Sequence, residues 1–112
     1  MRIWDIEPER LCRKHLLAEH RELHALWVVL TEGKKGYSKH PETLRWRGKL
    51  AALFDRHERL VEEMLKRGYR HHSPLLAPKD KDSNTQDVFI NTYEEQLSIL
   101  RAKGCGCNTE LN

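Results

Sequence analysis

His15, Glu19, Arg21 and Glu22 fall within two turns of one expected helix. An imidazole, carboxylates and a guanidinium at that spacing can move protons and hold an anion. Glu22 shares a helical face with His15, Ala18, Ala25, Leu26 and Val29, at steps of three, four and seven residues. Small and apolar neighbours shield a carboxylate from water, and such shielding suits proton transfer. The same surroundings suit a structural hydrogen bond, and Arg-Glu neighbours on a helix are ordinarily solvated surface. Residue types alone leave these readings open.

Seven histidines raise the question of a metal. His20 and His24 have the i, i+4 spacing that can clamp an ion, and His71-His72 follow the second helical pattern. A zinc site needs three or four converging ligands. The sequence by itself brings no such set together, so no metal site is expected. His57 sits within an apolar pattern and reads as a hydrogen-bonded core histidine. Cys12, Cys105 and Cys107 do not make a disulfide framework. Cys12 is expected as a small buried side chain, and the single Cys105-Gly106-Cys107 pair as part of a flexible terminus.

The elements that must position these groups read as helices. Residues 1–7 form an extended lead-in, with Ile3, Trp4 and Ile6 available as anchors. Pro8 suits the first position of a helix, flanked by Glu7 and Glu9 near its positive end. Cys12, Leu16, Leu23, Trp27 and Leu30 then recur at helical spacing, predicting a helix from Pro8 to Leu30. Glu32-Gly33-Lys34-Lys35-Gly36 ends it. His40-Pro41-Glu42 starts a second helix carrying Trp46, Leu50, Leu53, His57, Leu60, Val61 and Met64, and Lys66-Arg67-Gly68 stops it. Gly48 inside that pattern marks a bend, a close helix contact or a frayed turn. Residues 77–86 are a polar linker, and a third helix fits Val88–Lys103. No internal repeat and no alternating strand pattern is present. The expectation is an all-α, compact three-helix single domain with an extended N-terminal lead-in.

Length and composition agree. At 112 residues the chain is one domain. Its 38% hydrophobic and 33% charged content describes a solvated globule with a modest core. No apolar run reaches the ~20 residues that span a bilayer, and Asp5, Glu7 and Glu9 interrupt any signal-peptide core. A cytoplasmic monomer with no membrane partner is the expectation. Residues 1–77 hold 16 Lys/Arg against 11 Asp/Glu, and residues 78–112 hold 4 against 6. The basic surplus therefore lies in the first segment, which suits a polyanion.

Arg2-Ile3, His15-Leu16, Ala18-Glu19 and Arg21-Glu22-Leu23 resemble the opening segment of the pyrimidine-dimer DNA glycosylases, the phage-type endonuclease V family. Leu65-Lys66-Arg67-Gly68-Tyr69 is similar to a later helix ending of that family. The resemblance divides the chain into a glycosylase-like helical core, 1–77, and a linker with a C-terminal helix packing on the same domain, 78–112. It implies a DNA repair glycosylase with abasic-site lyase activity on damaged pyrimidines in double-stranded DNA. Met1 and Glu22 are then the catalytic residues. The N-terminal α-amine attacks C1′ of the damaged nucleotide, the base leaves, an imine remains, and Glu22 helps remove the C2′ proton. The resemblance implies no metal or organic cofactor. An α-amine, with a reference pKa of about 7.7–8.0, keeps a neutral nucleophilic fraction at pH 7. Where the phage enzyme exposes threonine ahead of arginine and isoleucine, a retained Met1 holds the amine in the same register here.

Arg2 and Arg21 match family positions that grip phosphates near the lesion. A further family arginine is Ala25 here, and His24 or His15 is available to contribute. The family's aromatic, basic C-terminal segment has no counterpart in residues 78–112, which lack tryptophan. Either the lesion differs from ultraviolet dimers, or its recognition leans on Arg45, Trp46, Arg47 and Lys49. For Trp46 the competing reading is plain core packing. Two alternatives from other classes remain: a non-catalytic helical module that binds DNA or protein, and a histidine-rich metal-binding protein.

Overall fold

The lead-in is the part of the chain that the helices enclose. In the computed structural model, which describes residues 1–33, 35–36, 38–78 and 83–110, Ile3, Trp4 and Ile6 are buried in the same core as the helices. Pro8–Arg10 then form a 3₁₀ turn, with the Leu11 amide donating to the Pro8 carbonyl at 3.1 Å. Leu11 and Cys12 are extended, and Cys12 stands at the N-cap of the first helix. Helix α1 therefore spans Arg13–Glu32 and begins later than the proline suggested. The reason is local: the turn closes on Pro8 and then turns out to bury Leu11. Gly33, at φ 65°, ends α1 in the left-handed conformation that glycine adopts without steric cost.

The second expected helix is two. Helix α2, Pro41–Trp46, opens with the His40 imidazole accepting from the Glu42 amide at 3.1 Å. Arg47 is extended and Gly48 takes φ 77°, which breaks the helical path. Helix α3, Leu50–Lys66, follows. The apolar periodicity ran across this break because Trp46 and Leu53 face one core on either side of it. Helix α3 ends as expected at Gly68. Its amide donates to the Leu65 carbonyl at 3.0 Å, and the Tyr69 amide reaches the Met64 carbonyl at 2.9 Å. This pair of bonds is the Schellman arrangement.

The last helix, α4, covers Tyr93–Ala102. Its start is set by a capping box: Thr92 Oγ1 accepts from the Glu95 amide at 3.1 Å, and the Glu95 carboxylate accepts from the Thr92 amide at 2.8 Å. The chain is all-α, with four helices and no strand among the described residues. The linker expected at 77–86 includes residues 79–82, and the loop after α1 includes residue 34; both lie outside the described residues. No described helix is long and apolar enough to cross a membrane.

Helices α1 and α3 form the main packed pair. Leu16, Leu23 and Leu26 from α1, and Leu53, Leu60 and Met64 from α3, share one core with Leu97 and Leu100 of α4. Leu60 is fully buried, whereas Leu65 on the same helix is 57% exposed. Leu60→Ala is expected to lower the unfolding free energy by about 2–5 kcal/mol, and Leu65→Ala by no more than about 0.5 kcal/mol. Urea titrations of the two variants check this; equal losses would contradict the packing.

Candidate active site

The lead-in is fastened at two points. The first is Glu19 on α1, only 1% exposed. Its carboxylate receives two hydrogen bonds from Arg56 of α3, Nε to Oε2 at 2.7 Å and Nη2 to Oε1 at 2.9 Å. The Trp4 main-chain amide faces the same carboxylate and favours its charged form. Burial pushes the Glu19 carboxyl up, while Arg56 and the Trp4 amide pull against it by favouring the charged form. One side chain thus ties together α1, α3 and the lead-in.

The second fastening is Arg45 of α2. Its Nη2 donates to the Ile3 carbonyl at 2.7 Å, its Nε to Glu42 at 2.9 Å and its Nη1 to the Val88 carbonyl at 2.9 Å. An ion pair to Asp5 at 3.2 Å completes the set. Gln96 of α4 grips Asp5 from the other side. Its Oε1 accepts from the Asp5 amide at 2.8 Å, and its Nε2 donates to the Asp5 carboxylate at 2.9 Å. Tyr93 donates to Glu7 at 2.6 Å, a bond that holds the Glu7 carboxyl below the usual carboxylate range.

These fastenings limit where the α-amine can be. Three residues separate Met1 from Trp4, a span of at most ~10 Å. Trp4 lies beside Glu19, which is three residues, or ~4.5 Å of helix rise, before Glu22. Met1 is half-buried against the core, and Glu22 is half-buried on α1. The α-amine therefore lies within ~10 Å of Trp4, and no hydrogen bond or ion pair joins Met1 to Glu22 among the described residues. Trp4, Asp5, Arg56 and Arg59 line a cavity of about 310 Å³, which Met1 and Glu22 do not line.

The residues expected to hold DNA are not equivalent. Arg21 is exposed on α1. Arg2 is half-buried, with Nη1 donating to Asn91 at 2.9 Å and its guanidinium 4.9 Å over the Trp4 ring. Arg47 is exposed and donates to the Ser38 carbonyl at 2.8 Å. Lys49 reaches Gln86 at 2.7 Å and Asp87 at 2.9 Å. Arg45 and Trp46, at 4% and 3% exposure, are inside the protein. The expectation of a DNA contact from either is replaced by a packing role: Arg45 is taken up by the lead-in, and Trp46 Nε1 donates to Glu42 at 3.3 Å.

His15 and His24 are each drawn into a cluster whose convergence the sequence alone did not show. Nδ1 of His15 lies 3.2 Å from Cys12 Sγ and 3.4 Å from Cys107 Sγ. Cys105 brings its sulfur to the same point. Nε2 of His24 lies 3.2 Å from Nε2 of both His20 and His57, and His71 completes the group. The tail expected to be flexible is thus docked on α1, and His57 is one of four converging imidazoles. Burial, then the neighbouring imidazoles, bring the His20 pKa down to about 4, so the ring is neutral at pH 7.

A family model for pyrimidine dimer DNA glycosylases matches residues 1–77. The chain belongs to that family. No curated protein and no solved structure matches it. The glycosylase match contains the lead-in, helices α1 to α3, the Glu19–Arg56 pair and all four clustered histidines. It stops before Asn91, Tyr93 and Gln96, which hold the lead-in from the other side, and before both tail cysteines.

Sequence reasoning missed Arg56 and Gln96, because their partners stand 37 and 91 residues away. Cys12 and His15, at ligand spacing beside a Cys-x-Cys, were a signal that went unused. Arg56→Met leaves the Glu19 charge buried without its partner, and is expected to cost about 3–5 kcal/mol of stability. The double variant Glu19→Leu/Arg56→Met is expected to recover most of that in thermal unfolding. A double variant as unstable as the single one would contradict the pairing.

Proposed function

We propose that this chain is a glycosylase and abasic-site lyase on double-stranded DNA carrying damaged pyrimidines, with the Met1 α-amine as nucleophile and Glu22 as the proton-transfer group. What carries the reading is the family match over residues 1–77, and Trp4 of the lead-in faces Glu19 on α1, one turn before Glu22.

The sequence of bonds is as follows. The neutral amine attacks C1′, the C1′–base bond breaks, and the base leaves with a proton. The sugar ring opens to an imine between Met1 and C1′. Removal of the C2′ proton to Glu22 sends an electron pair toward C3′, and the 3′ phosphate leaves by β-elimination. Water then hydrolyses the imine and frees the amine. The imine activates the C2′ proton because it withdraws electrons from the adjacent carbon. The exposed cations of Arg21 and Arg47, with Arg2 beside Trp4, hold backbone phosphates through charge-assisted bonds that position the strand without reading its sequence. The sugar must be reached from outside the stack, so binding bends the duplex or turns the nucleotide out.

Borohydride added during reaction with abasic duplex DNA is expected to trap a covalent adduct on residue 1. Glu22→Gln should slow strand cleavage by about 10²- to 10⁴-fold, and N-terminal acetylation should abolish both trapping and cleavage. An adduct that maps to a lysine, or full activity after acetylation, would overturn the assignment. Salt-dependent DNA binding with no adduct would instead identify a non-catalytic module.

A further inference from the structure

We propose that Cys12, His15, Cys105 and Cys107 form a closed zinc site that clamps residues 105–107 onto the start of α1. The four ligand atoms all lie within 4.8 Å of one another. Tetrahedral zinc with Zn–S of about 2.3 Å and Zn–N of about 2.0–2.1 Å requires ligand atoms roughly 3.5–3.8 Å apart. The His15 Nδ1 distances to Cys12 and Cys107, 3.2 and 3.4 Å, are close to that edge. Three thiols and one imidazole are a zinc donor set, whereas magnesium and calcium take oxygen ligands.

The surroundings fit. The Cys12 amide donates to Cys107 Sγ at 3.0 Å, a bond that stabilises a thiolate. The Asn108 amide donates to the Arg10 carbonyl at 2.7 Å and lays the tail beside the N-cap. Gly106 packs against Cys12, where a Cβ would make ordinary contact with Cys12 Cβ at 3.6 Å. The Trp4 ring packs edge-on against His15 at 6.1 Å, so the metal would brace the lead-in as well as the tail.

A second site stands on independent observations. We infer that His20, His24, His57 and His71 hold a second zinc ion between α1, α3 and the segment after α3. Their ligand atoms also lie within 4.8 Å of one another. The two Nε2–Nε2 distances of 3.2 Å match the ~3.3 Å edge of a tetrahedral four-nitrogen site. Nε2 of His71 is buried and has no hydrogen-bond partner among the described residues, which is costly for a polar atom unless something else occupies its lone pair. Nδ1 of His57 meets the Glu58 carboxylate at 2.9 Å, the kind of bond that orients a ligating imidazole and raises its basicity.

Both sites are tested on the whole chain, untagged or with its tag removed, by metal analysis and cobalt substitution. Two zinc ions per chain are expected, and chelation should lower Tm by on the order of 10 °C. Cobalt loading should give thiolate-to-cobalt charge transfer together with tetrahedral d–d bands. Cys105→Ser/Cys107→Ser should lose the charge transfer and one equivalent of metal, keeping the histidine-bound ion. His24→Gln/His71→Gln should do the converse. Cobalt and zinc titrations of the unsubstituted chain keep the test valid should a variant fail to fold. Metal-free protein whose Tm does not respond to added zinc would overturn both sites. A Cys12–Cys107 disulfide in freshly isolated protein would overturn the first, and saturation at one equivalent with charge transfer intact would overturn the second. Neither readout depends on DNA cleavage.

Discussion

The structure depends on the burial of one carboxylate. Glu19 is withdrawn from water and given two guanidinium bonds and a main-chain amide. A buried ion pair is weak evidence of stability, because desolvation offsets most of the attraction. Its geometric value is larger. Two charges that cannot return to water without loss must stay together, and the Trp4 amide faces the same carboxylate. The segment around Trp4 therefore lies against a pair that holds α1 to α3.

Around that point the molecule is built by polar fasteners as much as by apolar packing. The leucines of α1, α3 and α4 supply the non-directional part of the core. Arg45, Asp5 and Gln96 supply direction. Arg67 does the same at the 3₁₀ turn: Glu63 holds it at 2.7 Å, and its Nη2 donates to the Leu11 carbonyl at 2.7 Å. Each fastener meets a main-chain carbonyl or amide of the first eleven residues. That segment has no helix or sheet to satisfy its own backbone, and buried backbone groups need partners.

What could be read from the sequence follows from range. Pro41, Gly33 and Gly68 act through their own backbone angles, so the helix ends they mark lie where they were expected. The leucine stripes act over one or two turns and gave the right faces. Gly48 was visible as an irregularity, but its left-handed φ was not, so two helices read as one. Arg56, Gln96 and the cysteine tail act across 37 to 95 residues. Nothing local distinguishes Arg56 from a surface arginine, or Gln96 from a solvated glutamine. Glu19 was noticed for its place in a motif, and its burial came from the partner. Arg45 drew attention as a basic residue beside a tryptophan, and its charge turned out to be spent internally.

The bonds between Asp5 and Gln96 cross 91 residues. During synthesis on the ribosome, residues 1–7 emerge well before their partners at 91–96. Helices α1 and α3 can pair beforehand, because their loops are shorter and short closures come at lower entropic cost. The lead-in is therefore made before its partners and seated after them. The growing polypeptide passes through a stage in which its apolar anchors Ile3, Trp4 and Ile6 are still uncovered, and that interval is when a chaperone would find them.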